Sequence, residues 1–149
     1  MQEKLLNDEI SARIKEFFDT QVINPVELNY FTNNDECETC EEAIQLFGEL
    51  AELSDEISFS TYDIEEHTQL AQQYNIQNTP ALVICARDQN KTIDYGIRFL
   101  GIPSGYEFTS LLQAIGMVSK RDSGLKPGTR KELEALQVPL LLKVFVTPT

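Results

Sequence analysis

The sequence predicts an α/β fold: a three-layer sandwich with a mixed central sheet, plus an N-terminal helix and the partial start of a second, similar unit. Three observations carry this prediction. Segments of helical and strand periodicity follow one another as helix, βαβα, then ββα, an order that gives two parallel strands and a hairpin. The run Ala81 to Cys85 is short and wholly apolar, as a strand covered on both faces must be. The pattern that opens the chain, an amphipathic helix, a proline and an apolar strand, returns at its end.

In chain order, Ile10, Ile14, Phe17 and Phe18 recur at helical spacing between Asn7 and Thr20, behind a cap at Asn7 or Asp8. Asn24-Pro25 ends that helix, Val26 to Thr32 reads as a strand, and Asn33-Asn34-Asp35 is a turn-prone exit. From Cys37 to Leu53 the pattern is helical again, with Cys40, Ile44, Phe47 and Ala51 on one stripe and Cys37 in the first turn. Ile57 to Ile64 alternates as a strand, and Leu70, Ala71 and Tyr74 mark a short helix ending near Asn75.

Ala81 to Cys85 is the buried strand, and Asp88-Gln89-Asn90-Lys91 turns the chain so that Thr92 to Leu100 returns antiparallel, with Gly96 as a bulge. Phe108, Leu111, Leu112 and Ile115 then mark a helix. Residues 1–118 therefore form the main domain. Ser119 to Gly128 breaks every periodicity and reads as a linker over 119–128, and 129–149 reads as the incomplete start of a second unit: a helix over Thr129 to Leu136, then a strand over Leu140 to Val146. Without a partner unit, that strand is expected to pack on the main domain or to pair two copies as a homodimer.

Composition narrows the function classes. A chain of 149 residues that is 42% hydrophobic can bury one good core but not two domains of ordinary size. No apolar run approaches the ~20 residues that span a bilayer, and the start MQEKLLNDEI lacks the basic head and apolar middle of a secretion signal, so the cytoplasm is the expected compartment. With 12 basic and 24 acidic residues the net charge is −12, which argues against nucleic acid or an anionic membrane as partner. Between Glu16 and Ala86 there are fifteen Asp or Glu and no Lys or Arg, a solvated acidic surface or a face for a basic partner.

Three cysteines cannot close a disulfide framework, but two of them form Cys37-Glu38-Thr39-Cys40. At the first turn of a helix, this spacing puts one sulfur at the exposed end, where unpaired N–H groups and the helix dipole favour a thiolate. Cys37 is then the nucleophile that attacks a disulfide, and Cys40 the residue that resolves the mixed disulfide. Asp35, Glu36, Glu38, Glu41 and Glu42 oppose the thiolate, and the sign of the net effect stays open at this stage. Two other readings compete: half of a zinc site, with His67 and Cys85 as the only further candidates, and a fold whose cysteines no longer turn over. Cys85 sits in an apolar run as a small buried hydrophobe, and His67 in a polar stretch facing solvent.

Cys37-Glu38-Thr39-Cys40 after a strand, then Thr79-Pro80 before a buried strand, resembles the thioredoxin and glutaredoxin superfamily. The resemblance implies a thioredoxin-like three-layer sandwich, a cis Thr79-Pro80 peptide facing the dithiol as part of the substrate-binding edge, protein disulfides as substrates, a thioredoxin-reductase-like electron donor, and no metal or organic cofactor. The stretches Arg98 to Phe108 and Lys143 to Thr149 are similar to the tandem protein disulfide oxidoreductases of thermophiles. That similarity implies a second Cys-x-x-Cys immediately after Thr149. They also resemble the N-terminal part of the flavoprotein that reduces alkyl hydroperoxide reductase, whose first unit lacks the cysteines present here. An electron relay to a peroxidase and a redox-idle interaction domain are the alternatives. Two features depart from thioredoxins: Glu36 stands where a tryptophan is common, and Phe31 where a buried carboxylate assists proton transfer. Resolution by Cys40 is thereby left to water or to Glu27.

Overall fold

Asn7, one of the two caps the sequence offers, starts the first helix: its side-chain oxygen accepts the N–H of Ile10 at 2.8 Å, pairing a donor that a helix N-terminus otherwise leaves open. The structure, a computed structural model, describes residues 4–33, 37 and 39–147. Its elements are α1 (Asp8–Gln21), β1 (Val26–Thr32), α2 (Cys40–Ala51), β2 (Ile57–Asp63), α3 (Thr68–Gln73), β3 (Ala81–Asp88), β4 (Lys91–Leu100), α4 (Tyr106–Lys120) and α5 (Pro127–Glu134). The helix, βαβα, ββα order is the predicted one.

The sheet runs β2-β1-β3-β4. β1 and β2 are parallel, with Val26 opposite Ile57, whereas β3 is antiparallel to both β1 and β4. It is therefore mixed, as expected from a βαβ crossover followed by a hairpin. Between Ile84 and Cys85 the partner on β4 jumps from Ile97 to Asp94, so the β4 side carries a bulge. Gly96 sits in it with φ +82°, a backbone angle open to glycine.

The two faces of the sheet are covered unequally. Val26, Leu28 and Tyr30 of β1 with Leu82, Ile84 and Ala86 of β3 pack beneath α1, α2 and α4. The alternate residues Phe31, Ala81, Val83 and Cys85 pack with Ala71 and Tyr74 around α3 alone. This is the period-2 alternation of a strand buried on both sides. Gly116 of α4 lets α1 approach closely, because a Cβ there would stand 3.3 Å from the Cβ of Gln21.

Several expectations change. α2 begins at Cys40 with Thr39 as its cap, so Cys37 lies ahead of the helix rather than in its first turn. α4 runs through Ser119 to Lys120 before Arg121 turns left-handed at φ +56°. The expected linker therefore starts inside a helix, where Ser119 is fully buried, and its end is taken up by α5. The C-terminal strand does not form. Residues 139–147 carry no regular structure, and Leu141, Leu142, Val144 and Phe145 are 80% or more exposed. A lone strand leaves its N–H and C=O groups unpaired, and neither edge of the sheet takes this one up. The tail thus does not pack on the main domain.

Candidate functional site

β1 ends at Thr32, and the chain passes from it to Cys37 and into α2 at Cys40. Cys37 and Cys40 are joined by a disulfide with their Cα atoms 5.4 Å apart. Cys40 is buried, at 6% exposure, while Cys37 is half-buried. The pair is thus asymmetric, one sulfur-bearing residue facing outward and one tucked under the helix start. Such a bond can accept two electrons, and attack on it by an external thiolate opens it.

Of the acidic residues expected around the pair, Glu41 and Glu42 are exposed at the start of α2. Asp35, Glu36 and Glu38 lie outside the described residues. Exposed carboxylates are screened by solvent, and they act against the helix terminus, whose field is worth roughly 0.3–1 kcal/mol.

Thr79 and Pro80 are joined by a cis peptide bond, as the family resemblance implied. Ala81 is the register partner of Phe31, so Pro80 lies at the end of the sheet where β1 runs out towards Cys37. Both Thr79 and Pro80 are half-buried, and the carbonyl of Pro80 accepts the N–H of Gly101 at 2.9 Å. The topology therefore brings Cys37, Cys40, Thr79 and Pro80 to one end of the sheet.

Glu27 is elsewhere. It follows the parity of Asn29 and Phe31, on the face away from α2, where it accepts a hydrogen bond from Thr92 at 3.0 Å and pairs with Arg87 at 3.5 Å. It is not the partner of Cys40 that the sequence left open. A polar groove of about 390 Å³ on that far face is lined by Glu27, Asn29, Ser58, Tyr74, Arg87 and Thr92 among others, and neither Cys37 nor Cys40 borders it. Cys85 is fully buried on the same far face and is a free thiol. Burial, seconded by the Asp94 carboxylate, pushes that thiol up to about 11. His67 is exposed as expected, its Nδ1 3.2 Å from the carbonyl of Asp63 and its ring edge-on to Tyr62 at 5.2 Å.

The residue that the sequence reading missed is Tyr30. It shares parity with Val26 and Leu28, so its ring lies beneath α2, fully buried and edge-on to Phe47 with ring centres 5.1 Å apart. Its hydroxyl donates to Cys40 Sγ at 3.9 Å. Burial pushes the phenol up to about 12. Counting in twos along β1 from Leu28 would have found it, given that the helix carrying Cys40 covers that face.

No protein-family model matches the sequence, and no curated protein matches it. Solved structures do. A protein disulfide oxidoreductase from Aeropyrum pernix is 24% identical with a TM-score of 0.76, covering 91% of this chain and 56% of its own. The NTD N/C domain of the alkylhydroperoxide reductase AhpF from Enterococcus faecalis is 25% identical with a TM-score of 0.75, covering 87% of this chain and 60% of its own. Thioredoxin from Plasmodium falciparum, 17% identical, matches at a TM-score of 0.50 over 77% of this chain and 91% of its own. The fold is thioredoxin-like, and the Cys37–Cys40 pair stands within that unit. The chain spans little more than half the length of the first two structures.

Proposed function

We propose that this chain is a thiol-disulfide oxidoreductase unit acting on protein disulfides. The observation that carries the reading is the Cys37–Cys40 disulfide at the start of α2 in a thioredoxin-like unit, with one cysteine half-buried and the other covered. In the reduced chain, the Cys37 thiolate attacks a substrate disulfide, forming a mixed disulfide and expelling one substrate thiolate. Cys40 then gives its proton to water, and its thiolate attacks Cys37 Sγ. The Cys37–Cys40 bond forms, the mixed disulfide breaks, and the second substrate thiolate leaves. Two electrons pass to the substrate. An external dithiol donor, of the kind a thioredoxin reductase supplies, returns them.

Thr79 and Pro80, at the same end of the sheet, are assigned to the substrate-binding edge. The reading calls for no metal and no organic cofactor. A dithiol that must be recharged works where reductant is abundant, which supports the cytoplasm; among the described residues no helix is long and apolar enough to cross a membrane. The exposed apolar tail supports pairing of two copies, which sedimentation of a Phe145→Lys variant against wild type tests.

The pre-reduced chain is expected to reduce insulin and to lose that activity on Cys37→Ser. Equal activity of wild type and variant would refute the assignment. The similarity to the AhpF domain supports a second reading, electron relay to a peroxidase. Peroxide consumption that requires this chain together with a peroxidase and a reductase would favour it.

A further inference from the structure

We infer that Tyr30 is the hydrogen-bond donor that stabilises the Cys40 thiolate as it forms in the resolving step. This rests on the oxidoreductase reading above and adds to it the group that serves the second sulfur. The geometry is specific. Tyr30 is fully buried, its ring is held by the edge of Phe47, and its hydroxyl meets Cys40 Sγ across 3.9 Å.

A disulfide sulfur is a weak acceptor, whereas a thiolate takes charge-assisted hydrogen bonds. The contact therefore strengthens at the moment Cys40 gives up its proton. Cys40 needs such help because it is buried, and burial disfavours the charged form of a thiol. The phenol cannot itself be the base: burial pushes its own ionisation up to about 12, so near neutral pH it keeps its proton and only donates. The Cys40 proton goes to water.

No other titratable group takes this role among the described residues packed against α2. On β1, Glu27 points to the far face and pairs with Arg87. On β2, Asp63 stands at the strand end, its Oδ1 accepting the N–H groups of Glu65 and Glu66. On α2 itself Glu41 and Glu42 are exposed, and Glu49 accepts the N–H groups of Leu5 and Leu6 more than two turns away.

The test is single-turnover reaction of the full reduced chain with the aromatic disulfide DTNB, followed by release of its coloured thiolate. Attack by Cys37 releases the first thiolate, and attack by Cys40 on the resulting mixed disulfide releases the second. Tyr30→Phe keeps the ring and removes only the hydroxyl. The first phase should stay within about twofold of wild type, the second should slow by about tenfold, and its pH midpoint should rise by about one unit. General loosening of the fold, by letting water reach Cys40, would lower that midpoint instead of raising it.

A second phase and midpoint equal to wild type overturn the inference while leaving the oxidoreductase reading in place. A wild-type chain that releases only one thiolate overturns both. Should Tyr30→Phe fail to fold, 3-fluorotyrosine at position 30 alone keeps every packing contact and is a stronger donor. The midpoint must then fall, and an unmoved midpoint refutes the role.

Discussion

Replacing Ser119 with alanine should cost this chain about 2–4 kcal/mol of stability, although Ser119 stands where the sequence reads as a linker. Ser119 is in the last turn of α4 and fully buried. Its Oγ accepts the N–H of Ile23 at 2.8 Å and that of Asn24 at 2.9 Å, and donates to the carbonyl of Asn24 at 2.7 Å. One hydroxyl thus closes the connection between α1 and β1 against the end of α4. The bond from Asn24 Nδ2 to the Ser119 carbonyl survives the substitution. Alanine leaves two N–H groups and one carbonyl without that partner, each worth about 1–3 kcal/mol if it stays buried. Ile23 is 61% exposed, so water reaches part of this loop and the sum falls toward the lower end. With a urea slope of about 2 kcal/mol per molar, a 3 kcal/mol loss lowers the unfolding midpoint by about 1.5 M at constant slope. The assay is urea unfolding followed by far-ultraviolet circular dichroism, with Ser110→Ala, an exposed site on the same helix, as the control. A Ser119→Ala loss below about 0.5 kcal/mol, no larger than a surface change, would refute the reasoning.

Two further predictions follow from the far face of the sheet. The Arg98 guanidinium grips Asp94 at 2.7 and 2.9 Å and holds its carboxyl below the usual carboxylate range, seconded by the N–H of Gly96. A folded-state value below the unfolded one gives stability that is full above roughly pH 4 and is lost as pH falls through the folded value. Asp94→Asn should therefore flatten the acid limb of the stability curve and leave its neutral part displaced downward; an unchanged acid limb in urea unfolding at stepped pH rules this out. Cys85 should be inert in the folded, reduced chain at pH 8, because burial pushes its thiol up to about 11. Thiol titration should count two groups in the folded chain and all three cysteines in urea. A rapid third equivalent without urea contradicts the buried assignment.

The elements that could be read from the sequence are those whose periodicity the tertiary fold does not override. β1 is found at its predicted bounds, Val26–Thr32, because Pro25 precedes it and turn-prone residues follow it. Asn7 and Gly96 are legible because each does a local job, a cap and a bulge, that few residue types do. α4 outran its prediction because Ser119-Lys120 opens a polar stretch in the sequence, although Val118 and Ser119 are buried. What extends it is tertiary: Ser119 binds the Asn24 loop, and Arg121 donates to the carbonyls of Val118 at 2.8 Å and Arg87 at 2.7 Å. The C-terminal segment failed in the opposite sense. Leu140 to Val146 has the composition of a strand, but composition supplies no hydrogen-bonding edge, and a strand without one has no reason to persist.

The site was legible in its covalent chemistry and illegible in its surroundings, and β1 shows why. A strand with one wet face announces its orientation by alternating polar and apolar residues. In β1 every residue except Glu27 is buried, so the sequence carries almost no record of which side chains point towards α2. Glu27 is the only ionisable carboxylate in the strand, which made it the natural candidate to serve Cys40. Parity excludes it: Glu27 pairs in register with Cys85, whose side chain belongs to the far cluster, while Leu28 and Tyr30 belong to the cluster beneath α2. The consequence is chemical as well as geometric. A carboxylate beneath Cys40 could take the thiol proton and return it; a buried phenol only donates to the sulfur, so the thiol proton must leave for water. Resolution in this chain should therefore depend on water reaching Cys40, and should speed up with pH as a thiol deprotonated by solvent does, with no separate carboxylate step in the profile.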